Sequence, residues 1–295
     1  MMAATRPVAL APGDVPADRD RPAPAAGSRD PDSRAPVIVL ATAYSGAGRL
    51  RSLLAGLPDL ACTTGTGILP LCEQAQAAWR NADGRPGRAP SALAISSTRA
   101  LTDIIVTSIL AREGKRRWCE TCTAQPDVAE TFLRLYPSTR FLCLYRSCGQ
   151  VIRAALDASP WGMADPVLAP FIRTHPASTA AALSAYWAAY TGSLLAFERS
   201  HPQAALRLRF EDLASAEPQT AQAVTSFLGG GLLGADSPGA KLGGGATLDE
   251  DSRPGPDPGP PGAEFPVGQI PAPLLAQLNE LHRDLGYPPI TGAEA

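Results

Sequence analysis

From about residue 36 to 229, short apolar runs alternate with amphipathic stretches, and this alternation constrains the fold more than any other feature. Val37 to Ala41 (VIVLA) is apolar at every position, as suits a strand covered on both faces. Ser45-Gly46-Ala47-Gly48 follows as a turn, and Leu50, Leu53, Leu54 and Leu57 then mark one face of a helix closed by Pro58. The pattern predicts further helices over 69–79, 97–112 (Leu101, Ile104, Ile105 and Ile109 at helical spacing) and 128–135. A longer one over 179–199 carries an aromatic stripe that reads as packing. Arg117 to Cys119, Phe141 to Tyr145 and Leu206 to Phe210 read as strands, and Leu274, Leu278, Leu281 and Leu285 as a last helix ended by Gly286. Repeated βα units of this kind predict an α/β fold in three layers, with a central parallel sheet flanked by helices.

Two stretches break the pattern. Residues 1–35 mix Arg, Asp, Pro and Ala without an apolar period, which predicts a disordered tail. The Gly and Pro density of 229–268 forbids helix or central strand and predicts a long loop within a domain spanning 36–290. The apolar fraction of 45% suffices for a core, and the formal net charge of -2 gives no reason to expect nucleic acid as a partner. Only Lys115 and Lys241 accompany 24 arginines, so a site that needs a cation is expected to use Arg. No uninterrupted apolar run reaches the roughly 18 residues of a membrane span, and the start lacks a signal-like apolar core; a cytoplasmic protein with no membrane partner is expected.

Ligands of such sheets gather where strand ends meet helix starts. The loop Tyr44-Ser45-Gly46-Ala47-Gly48-Arg49 lies at that place, with small residues that let backbone amides approach an anion and an arginine beside them. The alternative is a plain turn with a surface arginine. Arg146, at the end of a strand and just before a helix, suits a second anion or an ion pair. The string Gly-x4-Gly-Lys-Ser/Thr is absent, Gly46 and Gly48 do not extend to G-x-G-x-x-G, and Ala43 rules out a G-x-S-x-G elbow around Ser45. Kinase, nicotinamide and serine-hydrolase readings lose weight accordingly. Cys119 and Cys122 have a zinc-like spacing, but Cys143 and Cys148 sit in another βα unit; free thiols and no metal are expected.

The order of IVLATAYSGAGRLRSLLAGLPDL, RRWCETC, LRLYPSTRFLCLYRSCGQVIRAALDASPWGM and LRLRFEDLASAEP ending in FLGG resembles the sulfotransferases that use 3'-phosphoadenosine 5'-phosphosulfate (PAPS). The resemblance runs from about 36 to 229, and a fainter similarity reaches the closing IPAPLLAQLNELHRDLGYPP. It implies the sulfotransferase variant of the fold of P-loop nucleoside triphosphate hydrolases. It further implies that Tyr44, Ser45, Gly46, Ala47, Gly48 and Arg49 hold the 5'-phosphosulfate and that Arg146 holds the 3'-phosphate. Lys241 falls at a late basic loop that closes over that phosphate, and Glu211 and Asp212 of RFEDL read as turn and capping groups.

The chain also departs from the family. Tyr44 stands where Lys or Arg usually precedes Ser-Gly, Gly48 where a hydroxyl residue is usual, and Ala154 where a serine often joins the 3'-phosphate arginine. Thr121 replaces a basic residue found in some members, and the catalytic Glu that others carry after the first helix falls near Thr63 and Thr64. Arg49 is expected to replace the missing cation at 44, and Tyr44 to offer a phenol to the bridging oxygen. Glu120 is the expected base, with Glu73, His175, His201 and His282 as weaker candidates. The predicted activity is sulfuryl transfer from PAPS to a hydroxyl of a small molecule, a glycan or a peptide. The alternative is a catalytically impaired domain that binds a nucleotide or a partner.

Overall fold

The computed structural model describes residues 35–82, 90–123, 126–158, 166–215, 218–229 and 267–291, all within the unit Pro31–Ala295. The expected tail, apart from Ala35, and almost all of the expected long loop, Lys241 included, lie outside the described residues. Five strands form one sheet: β1 Val37–Ala41, β2 Leu60–Thr64, β3 Arg117–Thr123, β4 Arg140–Tyr145 and β5 Ala205–Arg209. Their order is β2-β3-β1-β4-β5 and every pairing is parallel. Helices α1 Ala47–Ala55, α2 Ile68–Ala82, α3 Ala92–Glu113, α4 Pro126–Leu135, α5 Cys148–Ala158, α6 Ala169–Thr174, α7 Thr179–Ser200, α8 Phe210–Ala214, α9 Pro218–Leu228 and α10 Ala272–Leu285 connect and cover it.

The layers follow from the strand period of two. In β1, Ile38 and Leu40 enter a core with α2, α4, α5, α7 and α10, while Val37, Val39 and Ala41 enter a second core with α1, α8 and α9. All five β1 residues are buried, the physical meaning of the continuous apolar run. Three layers with a central parallel sheet result, as expected.

Several elements differ from expectation: α6, α8 and α9 were not predicted, Phe210, read as strand, opens α8, and β2 and α3 depart for physical reasons. β2 was not anticipated: LACTT carries two threonines and a cysteine at a sheet edge, and its burial fades from Leu60 to Thr64, so no apolar run announces it. α3 starts five residues earlier than its periodicity predicts, and of its four marker residues only Ile105 and Ile109 pack against the core. Ala94, Thr98 and Thr102 are buried, whereas Leu101 and Ile104 are 44% and 67% exposed. A polar seam explains this: buried Gln76 donates to the Ala94 carbonyl (2.9 Å) and the Thr98 hydroxyl (2.6 Å), and Cys72 contacts the Thr102 hydroxyl (3.2 Å). By length and composition α3 is apolar enough to cross a membrane, although its inner face is tied to α2 through these bonds.

The topology sets the location of a site. β1 leads by way of α1 toward the β3 side of the sheet, while β4 leads by way of α5 to α7 toward β5, so chain connections diverge between neighbours β1 and β4. The loops following these two strands therefore border the crevice where open α/β sheets bind ligands.

Candidate active site

The loop after β1 is tightly built. Thr42 and Ser45 join through their hydroxyls, the Ser45 amide donates to the Thr42 carbonyl (3.2 Å), and the Ala43 amide donates to the Tyr186 hydroxyl (2.8 Å). Tyr44 has φ 65° and Gly46 φ 86°, two left-handed residues that swing the chain into α1. A Cβ at Gly46 would overlap the Phe210 ring, so glycine is required by space as well as by backbone. Gly46 caps α1 without any side-chain bond, and the first turn holds no acidic residue. The N-terminal amides of α1 thus keep their partial positive charge for an external anion.

Arg146 and this loop meet directly. Its Nη1 donates to the Tyr44 carbonyl (3.1 Å), its Nε donates to Gln150 Oε1 (3.0 Å), and its guanidinium lies 4.2 Å from the Phe210 ring centroid. The residue is 3% exposed, and burial pulls its pKa down while Glu211 and Tyr287 push it back up. Arg49 is exposed and reaches the Ala214 carbonyl (3.3 Å) at the end of α8, on the β5 side of the loop.

On the other side of α1, toward β2, lies a cavity of about 450 Å³. Ala41, Thr42, Ala43 and Ala47 border it from β1 and its loop, Thr64, Gly65 and Gly67 from the β2 outlet, and Glu120, Thr121 and Cys122 from β3. Glu120 is 2% exposed and accepts three hydrogen bonds: its Oε1 from the Thr66 amide and hydroxyl (both 2.9 Å) and its Oε2 from the Thr63 hydroxyl. Trp118 Nε1 donates to that same hydroxyl (2.8 Å) and fixes its direction. Thr63 and Glu120 face each other across the parallel register of β2 and β3.

Of the expected site residues, the cavity gathers Ala47 and Glu120, whereas Arg49 and Arg146 lie beyond its lining toward β4 and β5. Tyr44 is half-buried against the larger core and contributes its carbonyl to Arg146. The weaker base candidates are otherwise employed. Glu73 pairs with Arg80 (3.1 Å) and accepts from Thr131 (2.5 Å), His201 pairs with Glu130 (2.6 Å), and His175 caps α6. His282 is buried, with one ring nitrogen on the Cys148 amide (3.3 Å) and the other on the Pro288 carbonyl (2.7 Å).

Cys119 packs in the α1-side core and Cys122 against the opposite one, so strand alternation sends the zinc-like pair to opposite faces of the sheet. Burial, reinforced by the Glu120 charge, pushes the Cys122 thiol up to about 12, which leaves it a protonated wall group rather than a nucleophile.

The sequence reading did not foresee Thr66 or the second role of Glu211. Glu211 accepts from the Ser147 amide (3.3 Å) and the Tyr287 hydroxyl (2.9 Å), tying the β4 outlet to the segment after α10. The adjacent acid in RFEDL was the available signal, but its partners lie 64 and 76 residues away and leave no local spacing.

A family model described as the sulfotransferase family matches residues 36–231. No curated protein matches the chain. Among solved structures, the sulfotransferase domain from the curacin biosynthetic pathway is similar at 16% identity, over 86% of this chain and 98% of that one, with a TM-score of 0.48. The sulfotransferase from Alicyclobacillus acidocaldarius is similar at 16% identity over 85% and 96%, with a TM-score of 0.48. Mouse sulfotransferase SULT7A1, solved in complex with PAP, is similar at 12% identity over 86% and 85%, with a TM-score of 0.43.

Proposed function

The chain belongs to the sulfotransferase family, and from that premise we propose that it moves a sulfuryl group from PAPS to a hydroxyl of an acceptor in the cytoplasm. One observation carries the reading: the uncapped, acid-free start of α1 borders a cavity into which β3 presents a buried carboxylate. The residues fit the donor's anionic groups, since free amides at a helix start, small side chains and Arg49 are what a phosphosulfate needs. When bound, the donor supplies an activated sulfuryl group: the acceptor oxygen bonds to sulfur, and the sulfur–oxygen bond to phosphate breaks with its electron pair leaving on the phosphate.

The division of labour follows from the two sides of α1. The amides of Ala47 and Gly48 face the charge that builds on a leaving phosphate, with Arg49 beside them. Arg146 holds the Tyr44 carbonyl and with it the loop; as the 3'-phosphate ligand it would exchange Gln150 for that phosphate. Lys241, outside the described residues, is proposed to close over the same group. Glu120 takes the acceptor's proton. Three donors occupy a carboxylate that has about four lone-pair sites, so one remains for the acceptor hydroxyl.

Transfer of labelled sulfate from PAPS to a panel of hydroxyl compounds tests the activity. Glu120→Gln is expected to lower turnover about a hundredfold or more, as for loss of a general base, with binding of 3'-phosphoadenosine 5'-phosphate retained. Arg49→Ala is expected to weaken nucleotide binding; unchanged affinity and unchanged transfer would remove Arg49 from the site. The tyrosine at 44 and the glycine at 48 favour a second reading, a nucleotide binder without transfer, whose signature is calorimetric binding with no labelled product under any acceptor.

A further inference from the structure

The outward face of α3 is unlike that of a helix that meets only water. Leu93, Ser97, Ala100, Ile104, Thr107 and Ala111 recur at intervals of four and three residues, which places them in one row. Leu93 and Ile104 are 62% and 67% exposed, and the rest of the row is exposed or half-buried. The charges of α3 are Arg99, Asp103, Arg112 and Glu113, and none of them falls in the row, although a solvated helix face ordinarily carries its charges there. The Ser97 hydroxyl donates back to the Leu93 carbonyl (2.7 Å), as that of neighbouring Ser108 does to Ile104 (2.8 Å). Covering the row therefore strands neither donor.

The row is its own complement. Rotation about a two-fold axis at the level of Thr102 sets Leu93 against Ala111 of a second copy and Ala100 against Ile104, so each large apolar side chain meets an alanine. Beside the row, a groove of about 410 Å³ passes Ala100, Arg99 and Asp103 and gives the opposing Ile104 room. The charges on this rim match as well. Asp103 accepts from the Tyr136 hydroxyl (2.7 Å) and Arg99 lies 5.2 Å from the Tyr136 ring centroid, so both are held on the same side of the row. The rotation brings two Asp103 carboxylates between two Arg99 guanidiniums, each Arg99 within about 3 Å along the helix axis of the other copy's Asp103. That quartet is neutral. A helix that lies on anionic lipid instead carries an excess of Lys or Arg at its rim. The 22 residues of α3 extend over about 33 Å, which gives a small interface and a dimer of modest affinity.

We propose that α3 is a docking surface for a second copy of this chain, packed antiparallel through this row. The proposal is independent of the sulfuryl-transfer reading.

Sedimentation equilibrium of the full chain over about 1 to 200 μM is expected to show monomer and dimer in exchange. Ile104→Lys is expected to raise the dissociation constant about tenfold or more, with an unchanged circular dichroism spectrum. Arg99→Asp alone is expected to weaken the dimer, and Arg99→Asp together with Asp103→Arg to restore most of it, because the quartet regains its neutrality. A monomer throughout, or a dimer that Ile104→Lys leaves untouched, overturns the proposal. Failure of the double reversal to restore the dimer overturns the antiparallel arrangement. Flotation of the chain with phosphatidylserine vesicles, and no dimer in their absence, overturns the proposal in favour of a lipid surface.

Discussion

Single residues in the β1 loop carry geometry that neighbours in sequence do not share. Gly46 is left-handed and faces the Phe210 ring without room for a Cβ, whereas Gly48 has open space around the same position. Gly46→Ala is expected to cost about 2 to 4 kcal/mol, from backbone strain and the displaced ring together. Gly48→Ala, two residues on and inside α1, is expected to stabilise by up to about 1 kcal/mol. Urea unfolding of the two variants side by side checks both; equal effects would show that the loop tolerates another path. The glycines were legible in the sequence as a turn, and Arg146 as a strand-end cation. The contact between Arg146 and the Tyr44 carbonyl was not, because 102 residues separate them and only the β1–β4 pairing brings them together. Glu120 was legible as a carboxylate near a strand end. Its support by Thr63 and Thr66 was hidden because β2 itself was hidden.

At the scale of elements, periodicity found the buried strands and failed where polar groups take core positions. α3 is the clearest case: of the four residues that gave it a helical signature, Ile105 and Ile109 pack against the core while Leu101 and Ile104 face outward, and the fully buried positions are Ala94, Thr98 and Thr102, facing Gln76 and Cys72 of α2. Apolar spacing identifies a helix but cannot say which face is inward when hydrogen bonds, rather than side-chain volume, join two helices. The consequence is measurable. Ile104→Lys, at a position 67% exposed, is expected to change unfolding free energy by no more than about 0.5 kcal/mol. Gln76→Ala removes two of the seam's three contacts, opens a void between α2 and α3, and is expected to cost about 1 to 3 kcal/mol. The reverse ranking in chemical denaturation would place the apolar stripe, and not the polar seam, at the centre of the α2–α3 contact.

For the whole molecule, the last helix is joined to the β4 outlet through a buried histidine, beside the tie of Glu211 to Tyr287. His282 of α10 accepts from the Cys148 amide with Nε2, so Nδ1 carries the proton and donates it to the Pro288 carbonyl. Trp187 and Tyr287 pack on its ring, 5.4 Å away in each case between centroids. Burial lowers its pKa, opposed by the Pro288 bond and by the charge of Glu211. The unfolded chain therefore binds a proton more readily than the folded one near its ordinary value of about 6.5. Stability from this group is complete above that pH and is lost as pH falls through about 6.5 toward the lower folded-state value. Protonation at Nε2 would also turn a donor toward the Cys148 amide, at the start of α5 and two residues after Arg146. Urea midpoints measured from pH 8 to about 5.5 should fall in the parent chain as the unfolded state takes up this proton first. In His282→Gln, less stable at pH 8 from the loss of packing, the fall should be shallower. Parallel curves for the two proteins would mean that the acid sensitivity of the fold resides elsewhere. A flattened curve assigns it to the joint between α10 and the β4 outlet.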